Sequence, residues 1–279
     1  HFMFYISVLT PTTDKKLAKE FNDQNLLMLK AALKSRPIEW VVEFVNNKGI
    51  TLLLTRIQEG LKIFKMKKYL LLLIECLEIV FVTKYGLNYY ICDSDPDDLA
   101  QHIQLLSIDQ FSVRTIFLKI LILVFKFSNE GYDRVVRAFN IRSYSSNGVD
   151  TKNYRLLSKS LTDKNSTKEY HCYALALINL FLTDSPTKEG CTKMRDIFEE
   201  ADLRGTLDDI ATPDEEVQLQ INAAKRELDG IHMMFETPKL DEEIFNELQS
   251  AQTTEELLRK SPAQVHYNKL MRELMMFAK

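Results

Sequence analysis

Glycine and proline are scarce in this chain, with 8 and 7 among 279 residues. That scarcity excludes collagen-like and linker-rich classes and disfavours an all-β fold, which needs a turn residue every few positions. The four cysteines, Cys76, Cys92, Cys172 and Cys191, form no C-x-x-C pair. They read as reduced thiols acting as small hydrophobes, in keeping with a cytoplasmic protein. No bilayer-length apolar run is present: Leu70–Val82 is interrupted by Glu75 and Glu78, and Ile116–Phe127 by Lys119 and Lys126. No charged-then-apolar signal segment opens the chain. No two glycines lie closer than 11 residues, which excludes G-x-G-x-x-G and P-loop phosphate sites.

Catalytic and metal constellations are equally missing. The histidines, His1, His102, His171, His232 and His266, never pair at helical spacing around an acid, so no zinc site is expected. His171 and Cys172 are neighbours, and adjacent helical residues do not face each other, so a structural role is expected for both. The run Asp93-Ser-Asp95-Pro-Asp97-Asp98 begins like a calcium loop. It places Asp98 where glycine is needed and Gln104 where glutamate is needed, and reads instead as the acidic start of a helix. The expectation is a protein that is not an enzyme, with no metal and no cofactor.

What is present is helical. Apolar residues make up 46% and charged residues 27%, which suits a packed globular chain. Helical periods run through Leu26/Leu27/Leu29/Leu33, Leu52–Leu61, Tyr69–Val82, Leu99–Ile108 and Val113–Phe127, and strict alternation is nowhere sustained. The segments 70–82 and 113–127 are apolar almost all round and suit central helices. Four glycines share one setting, in which an apolar helix, a short polar stretch and the glycine precede a new helix: Gly49, Gly86, Gly131 and Gly190. Each is expected to take the left-handed conformation that closes a helix. Their separations are 37, 45 and 59 residues, and the first two bracket the armadillo and HEAT period. The third contains a polar stretch at about 142–168, read as an insertion. The expected fold is all-α, an armadillo-like superhelix of stacked helix repeats. Further helices are expected from about Val217 to Phe235, over Glu242–Gln249 and over Val265–Phe277.

Charge is uneven. Residues 1–90 carry 13 Lys/Arg against 8 Asp/Glu, and residues 194–279 carry 10 against 19. Lys62, Lys65, Lys67 and Lys68 cluster, but a pI near 6.0 favours a solvated face over a nucleic-acid site.

Three segments carry a family resemblance. Ser35-Arg-Pro37-Ile-Glu-Trp40-Val-Val-Glu-Phe44 with Gly49-Ile resembles the N-P-V-S-W-V-x-x-F-G…G-L segment of diaphanous-related formins. Cys76-Leu-Glu-Ile-Val-Phe-Val-Thr-Lys84-Tyr85-Gly86-Leu is similar to that family's C-L-K-A-F-M-N-N-K-F-G-I. Leu175-Ala-Leu-Ile-Asn179-Leu-Phe-Leu-Thr183 is similar to its L-Q-L-I-N-A-L-I-T, and Met194–Leu203 resembles the helix that follows.

The resemblance implies the regulatory region of a formin: a helical GTPase-binding segment over 1–45 and an armadillo-repeat inhibitory domain over 46–279. The implied partners are a GTP-bound Rho-family GTPase and the formin's own carboxyl-terminal autoregulatory helix. GTP and magnesium would belong to the GTPase, and actin would be reached only through other domains. The implied setting is the cytoplasm and cytoskeleton, with recruitment to membranes through the GTPase. Neither nucleic acid nor a transmembrane segment is expected. The implied GTPase contacts are Val82, Thr83, Lys84 and Tyr85 with Lys30 and Arg36, although Val82 and Thr83 stand where the family has asparagines. Leu177, Leu180 and Thr183 are the implied groove for the autoregulatory helix, and Trp40 is the expected anchor of the first repeat. The alternative is a general armadillo or HEAT scaffold that binds extended peptides.

Overall fold

The structure, a computed structural model, describes residues 2–14, 19–140, 151–210 and 212–230. Among these residues lie fourteen α-helices and three short 3-10 turns, with no strand. The chain is all-α, and it divides into two compact units, His1–Leu157 and Ser158–Lys279.

The first unit holds α1 (Phe2–Leu9), α2 (Asp23–Ser35), α3 (Ile38–Asn46), α4 (Gly49–Lys62), α5 (Leu70–Val82), α6 (Lys84–Asp93), α7 (Asp98–His102), α8 (Phe111–Phe127) and α9 (Asn129–Asn140). Helix α10 (Lys152–Lys159) spans the boundary between the units. Helix α5 packs between α2 and α8, α3 packs on α6, and α4 packs on α7. Two successive three-helix repeats therefore lie helix on corresponding helix, α3-α4-α5 against α6-α7-α8. The uniformly apolar segment of α8 becomes the covered centre, with every residue from Phe117 to Phe125 buried. The expected division at 45/46 has no counterpart in the packing. Helices α1–α3 rest on α4–α6 inside one unit.

The second unit holds α11 (Lys168–Thr183), α12 (Lys188–Glu200), α13 (Leu203–Asp209) and α14 (Glu215–Leu228). Helix α14 lies along α11, and α12 and α13 close the repeat. Asp214 caps α14, its carboxylate accepting from the Glu216 and Val217 amides at 3.1 and 3.2 Å. Of the expected insertion, residues 151–168 form α10, a 3-10 turn at Ser160–Thr162 and the entry to α11. Residues 142–150 lie outside the described residues, as do 231–235 and the helices expected at Glu242–Gln249 and Val265–Phe277.

The glycine reading is corrected. Gly86, Gly131 and Gly190 are each the third residue of a helix, in α6, α9 and α12, and among the described glycines only Gly230 has a positive φ, at 69°. Their amides donate to the residue that opens the helix: Gly86 to the Thr83 hydroxyl at 3.0 Å, Gly131 to Ser128 at 3.2 Å and Gly190 to Thr187 at 3.0 Å. Glycine is required by close approach. A Cβ at Gly86 would overlap the carbonyl oxygen of Val80, and one at Gly131 that of Val124. Gly49 differs: it opens α4 behind Lys48, which itself takes the left-handed conformation, and a Cβ there would strike the Phe44 ring. The position equivalent to these third residues in α3 is Trp40. The repeat starts are therefore Ile38, Lys84, Asn129 and Lys188, set by helix entries rather than helix exits.

Trp40, expected to anchor the first repeat, is half-buried where α3 meets α1. It stacks on Phe44 with ring centroids 5.9 Å apart and meets Tyr5 edge-on at 5.9 Å. As the third residue of a helix it lies at the rim of the repeat, and Phe44, one turn on, takes the interior place.

Candidate functional site

Helices α2 and α5 run parallel. Lys68 pairs with Asp23 at 3.7 Å and Lys30 with Glu75 at 2.6 Å, and both pairs are separated by the same number of residues. A constant offset means equal progress along both helices, so the ends of α2 and α5 reach the same edge of the unit. Arg36, exposed and capping α2, and the turn Val82-Thr83 that ends α5 share that edge. Tyr85 ties it to the next helix pair: its hydroxyl donates to Asn46 Oδ1 at 2.6 Å.

The sequence-predicted residues on this edge have distinct roles. Thr83 is structural, because its hydroxyl caps α6 through Gly86 and donates to the Val80 carbonyl at 2.6 Å. Val82 is half-buried, while Lys84 is exposed and Tyr85 keeps 37% of its surface in solvent. Lys84 is the first residue of α6, where a cation opposes the helix dipole. Lys30 lies down the α2–α5 seam, held by Glu75, and is not on the edge itself.

The predicted groove is corrected. Leu177 and Leu180 are 0% and 3% exposed, and every residue from Cys172 to Leu182 is buried. Both leucines are therefore spent inside the unit, and of the three predicted groove residues only Thr183 is exposed. Spacing on a single helix shows which residues share a face, not whether another helix already covers it.

Asn179, in the same helix, turns out to be the polar link to α14. Its side-chain amide donates to the Gln220 carbonyl at 3.1 Å and to Gln220 Oε1 at 2.6 Å, from 7% exposure. Arg134 is a second residue that sequence reasoning missed. From a buried position it donates to the carbonyls of Ile91 at 2.7 Å, Ser94 at 2.8 Å and Asp95 at 3.0 Å, closing the open end of α6. Its signal was available: Gly131, Arg134, Val135 and Ala138 recur at helical spacing, which places the arginine on the apolar face.

The other sequence candidates resolve structurally. His171 Nε2 lies 2.8 Å from the Leu161 carbonyl and 2.7 Å from the Ser166 hydroxyl, while Cys172 is buried. Burial holds the His171 pKa below the usual histidine value. In the aspartate run, the Asp97 amide donates to Asp95 Oδ1 at 2.9 Å and Asp98 opens α7. Among the described residues no group of three His, Cys, Asp or Glu side chains could hold a metal ion. Nor is any helix among them long and apolar enough to cross a membrane.

The stacked three-helix repeats define the class of protein: an all-α helical-repeat protein. Among solved structures, the chain is similar to a designed armadillo repeat protein, YIII(Dq)4CqI, at 13% identity and a TM-score of 0.42, over 81% of this chain and 99% of that one. No family model matches the chain, and no curated protein matches it.

Proposed function

We propose that this chain is a non-catalytic regulatory module of the formin type, whose α2/α5 edge receives a GTP-bound Rho-family GTPase. The observation that supports it is the parallel course of α2 and of the turn leading into α5, which sets the carboxyl ends of the two helices, at Arg36 and at Val82–Thr83, toward one edge. The edge offers a cation at Arg36, a second at Lys84 and a partly exposed aromatic at Tyr85, a mixture suited to a protein partner. In this reading the module works in the cytoplasm and cytoskeleton, reaches membranes with the GTPase, and controls actin assembly through other domains. An autoregulatory helix would bind a surface other than Leu177 and Leu180.

The test is retention of Rho-family proteins on the immobilised chain, loaded with GTP or with GDP. Selective retention of the GTP form, weakened by Lys84→Glu and Tyr85→Ala, is the expected result. Equal retention of both forms would favour the scaffold alternative.

A further inference from the structure

The turn between α4 and α5 carries the most exposed large apolar side chain among the described residues. Phe64 is 89% exposed and Ile63 beside it 49%. Both project from the start of a 3-10 turn, Phe64–Tyr69, whose first hydrogen bond runs from the Met66 amide to the Ile63 carbonyl at 2.9 Å. Four lysines surround the pair in sequence, Lys62, Lys65, Lys67 and Lys68, with no acid between Lys62 and Tyr69. The carboxylates that approach are loose: Lys67 meets Asp109 at 3.9 Å and Lys68 meets Asp23 at 3.7 Å.

The base of the turn is firm while its tip is bare. Tyr69 is buried and meets Phe21 edge-on, with centroids 4.9 Å apart, and the Arg56 guanidinium lies over the Phe21 ring at 4.4 Å. Arg56 is held in turn by the carbonyls of Leu9 at 2.8 Å and Thr10 at 3.0 Å. An apolar pair held out on a fixed base meets water at a cost that folding does not recover. The turn also lines an open cavity with Phe21, Arg56 and Gln110, but Phe64 stands out from it, 89% exposed, and leaves it unfilled. A projecting aromatic ringed by lysines fits a surface whose outer layer is anionic and whose next layer is apolar.

We infer that the Ile63–Phe64 tip, with Lys62, Lys65, Lys67 and Lys68, docks the protein on anionic phospholipid membranes. The lysines would meet head groups, their alkyl stems lying along the interface. Phe64 and Ile63 would enter the acyl boundary. This surface is separate from the α2/α5 edge proposed for the GTPase.

The experiment is sedimentation of the full 279-residue chain with vesicles of phosphatidylcholine alone or with about 30% phosphatidylserine. Retention on the anionic vesicles only, falling as salt rises, is expected. Phe64→Ser should weaken it roughly tenfold, and Lys62→Glu with Lys65→Glu should weaken it further. These side chains are exposed, so thermal midpoints should match the parent. A Phe64→Trp variant should be quenched by brominated lipid while Trp40 in the parent chain is not. Binding that ignores lipid charge, survives Phe64→Ser, or is seen with a polyglutamate peptide but not with vesicles would overturn the proposal. GTPase retention by the Phe64→Ser variant reads the α2/α5 proposal independently.

Discussion

The Gly131 amide donates to the Ser128 hydroxyl at 3.2 Å, and in the same place the Val124 carbonyl leaves no room for a side chain. One residue thus serves a cap and a helix crossing together. The same cap recurs at Thr83–Gly86 and Thr187–Gly190, and it marks the repeat starts at Lys84, Asn129 and Lys188. The start at Ile38 has Pro37 and Trp40 in these places.

Replacing these glycines should therefore reverse the usual helix propensity effect. Within a helix, Gly→Ala ordinarily gains up to about 1 kcal/mol. Gly131→Ala should instead lose about 1–3 kcal/mol, because the obstructing atom is backbone. Gly190→Ala should cost less, since the obstacle there is the Ser185 hydroxyl, which can rotate away. Urea denaturation of the two variants measures the order; a stabilised Gly131→Ala protein would contradict the close approach.

Arg134 should resist even conservative change. Its guanidinium reaches three carbonyls and the Ser94 hydroxyl at 3.1 Å, a spread that one ammonium cannot match. Arg134→Lys should cost about 1–3 kcal/mol by leaving buried carbonyls unpaired, and Arg134→Ala more. Equal midpoints for Arg134→Lys and the parent in a thermal melt would show that water replaces those bonds.

Leu180→Asp separates a groove from a core. At 3% exposure, a carboxylate there would be buried without a partner, and the second unit should unfold. Loss of helical circular dichroism together with new protease cleavage after residue 158 is the expected outcome. A folded Leu180→Asp protein would return this face to solvent.

The Asn179–Gln220 contact should show energetic coupling. A double-mutant cycle to alanine should give about 0.5–1.5 kcal/mol, since both groups are buried and bonded to each other. Strict additivity of the two single changes would remove the contact from the stability of the α11–α14 pair.

His171 should make stability depend on pH. Burial lowers its folded pKa beneath 6.5, so the unfolded chain binds the proton first. Its contribution is complete above 6.5 and declines as pH falls from there toward the folded value. His171→Gln should flatten the stability profile between neutral and mildly acid pH, measured by urea midpoints.

Helix content, the apolar centre at 113–127 and a glycine recurring before new helices were legible in the sequence. Each is a local property: a 3.6-residue period, an unbroken apolar run, a glycine recurring before a helix. The segment 70–82, read as covered almost all round, leaves Leu71, Leu72, Ile79 and Val82 half-buried, and the fully buried run 172–182 was not singled out. The role of the recurring glycine was not legible. A left-handed exit and a crowded entry look alike in sequence, and only the position of the Val80 and Val124 carbonyls tells them apart. The edge was half legible. Val82–Tyr85 and Arg36 could be singled out by their residues, but their sharing one edge depends on α2 and α5 running parallel, as the Asp23–Lys68 and Lys30–Glu75 pairs record.

By itself the sequence determined that the chain is helical, that the helix over 113–127 is covered, and where the lysines Lys62, Lys65, Lys67 and Lys68 gather. Only the tertiary structure decided that Leu177 and Leu180 are buried, that Arg134 closes α6, and that Phe64 remains outside. Periodicity dictates which side chains a helix presents together. What meets that face depends on segments forty or more residues away, and no local pattern carries that information.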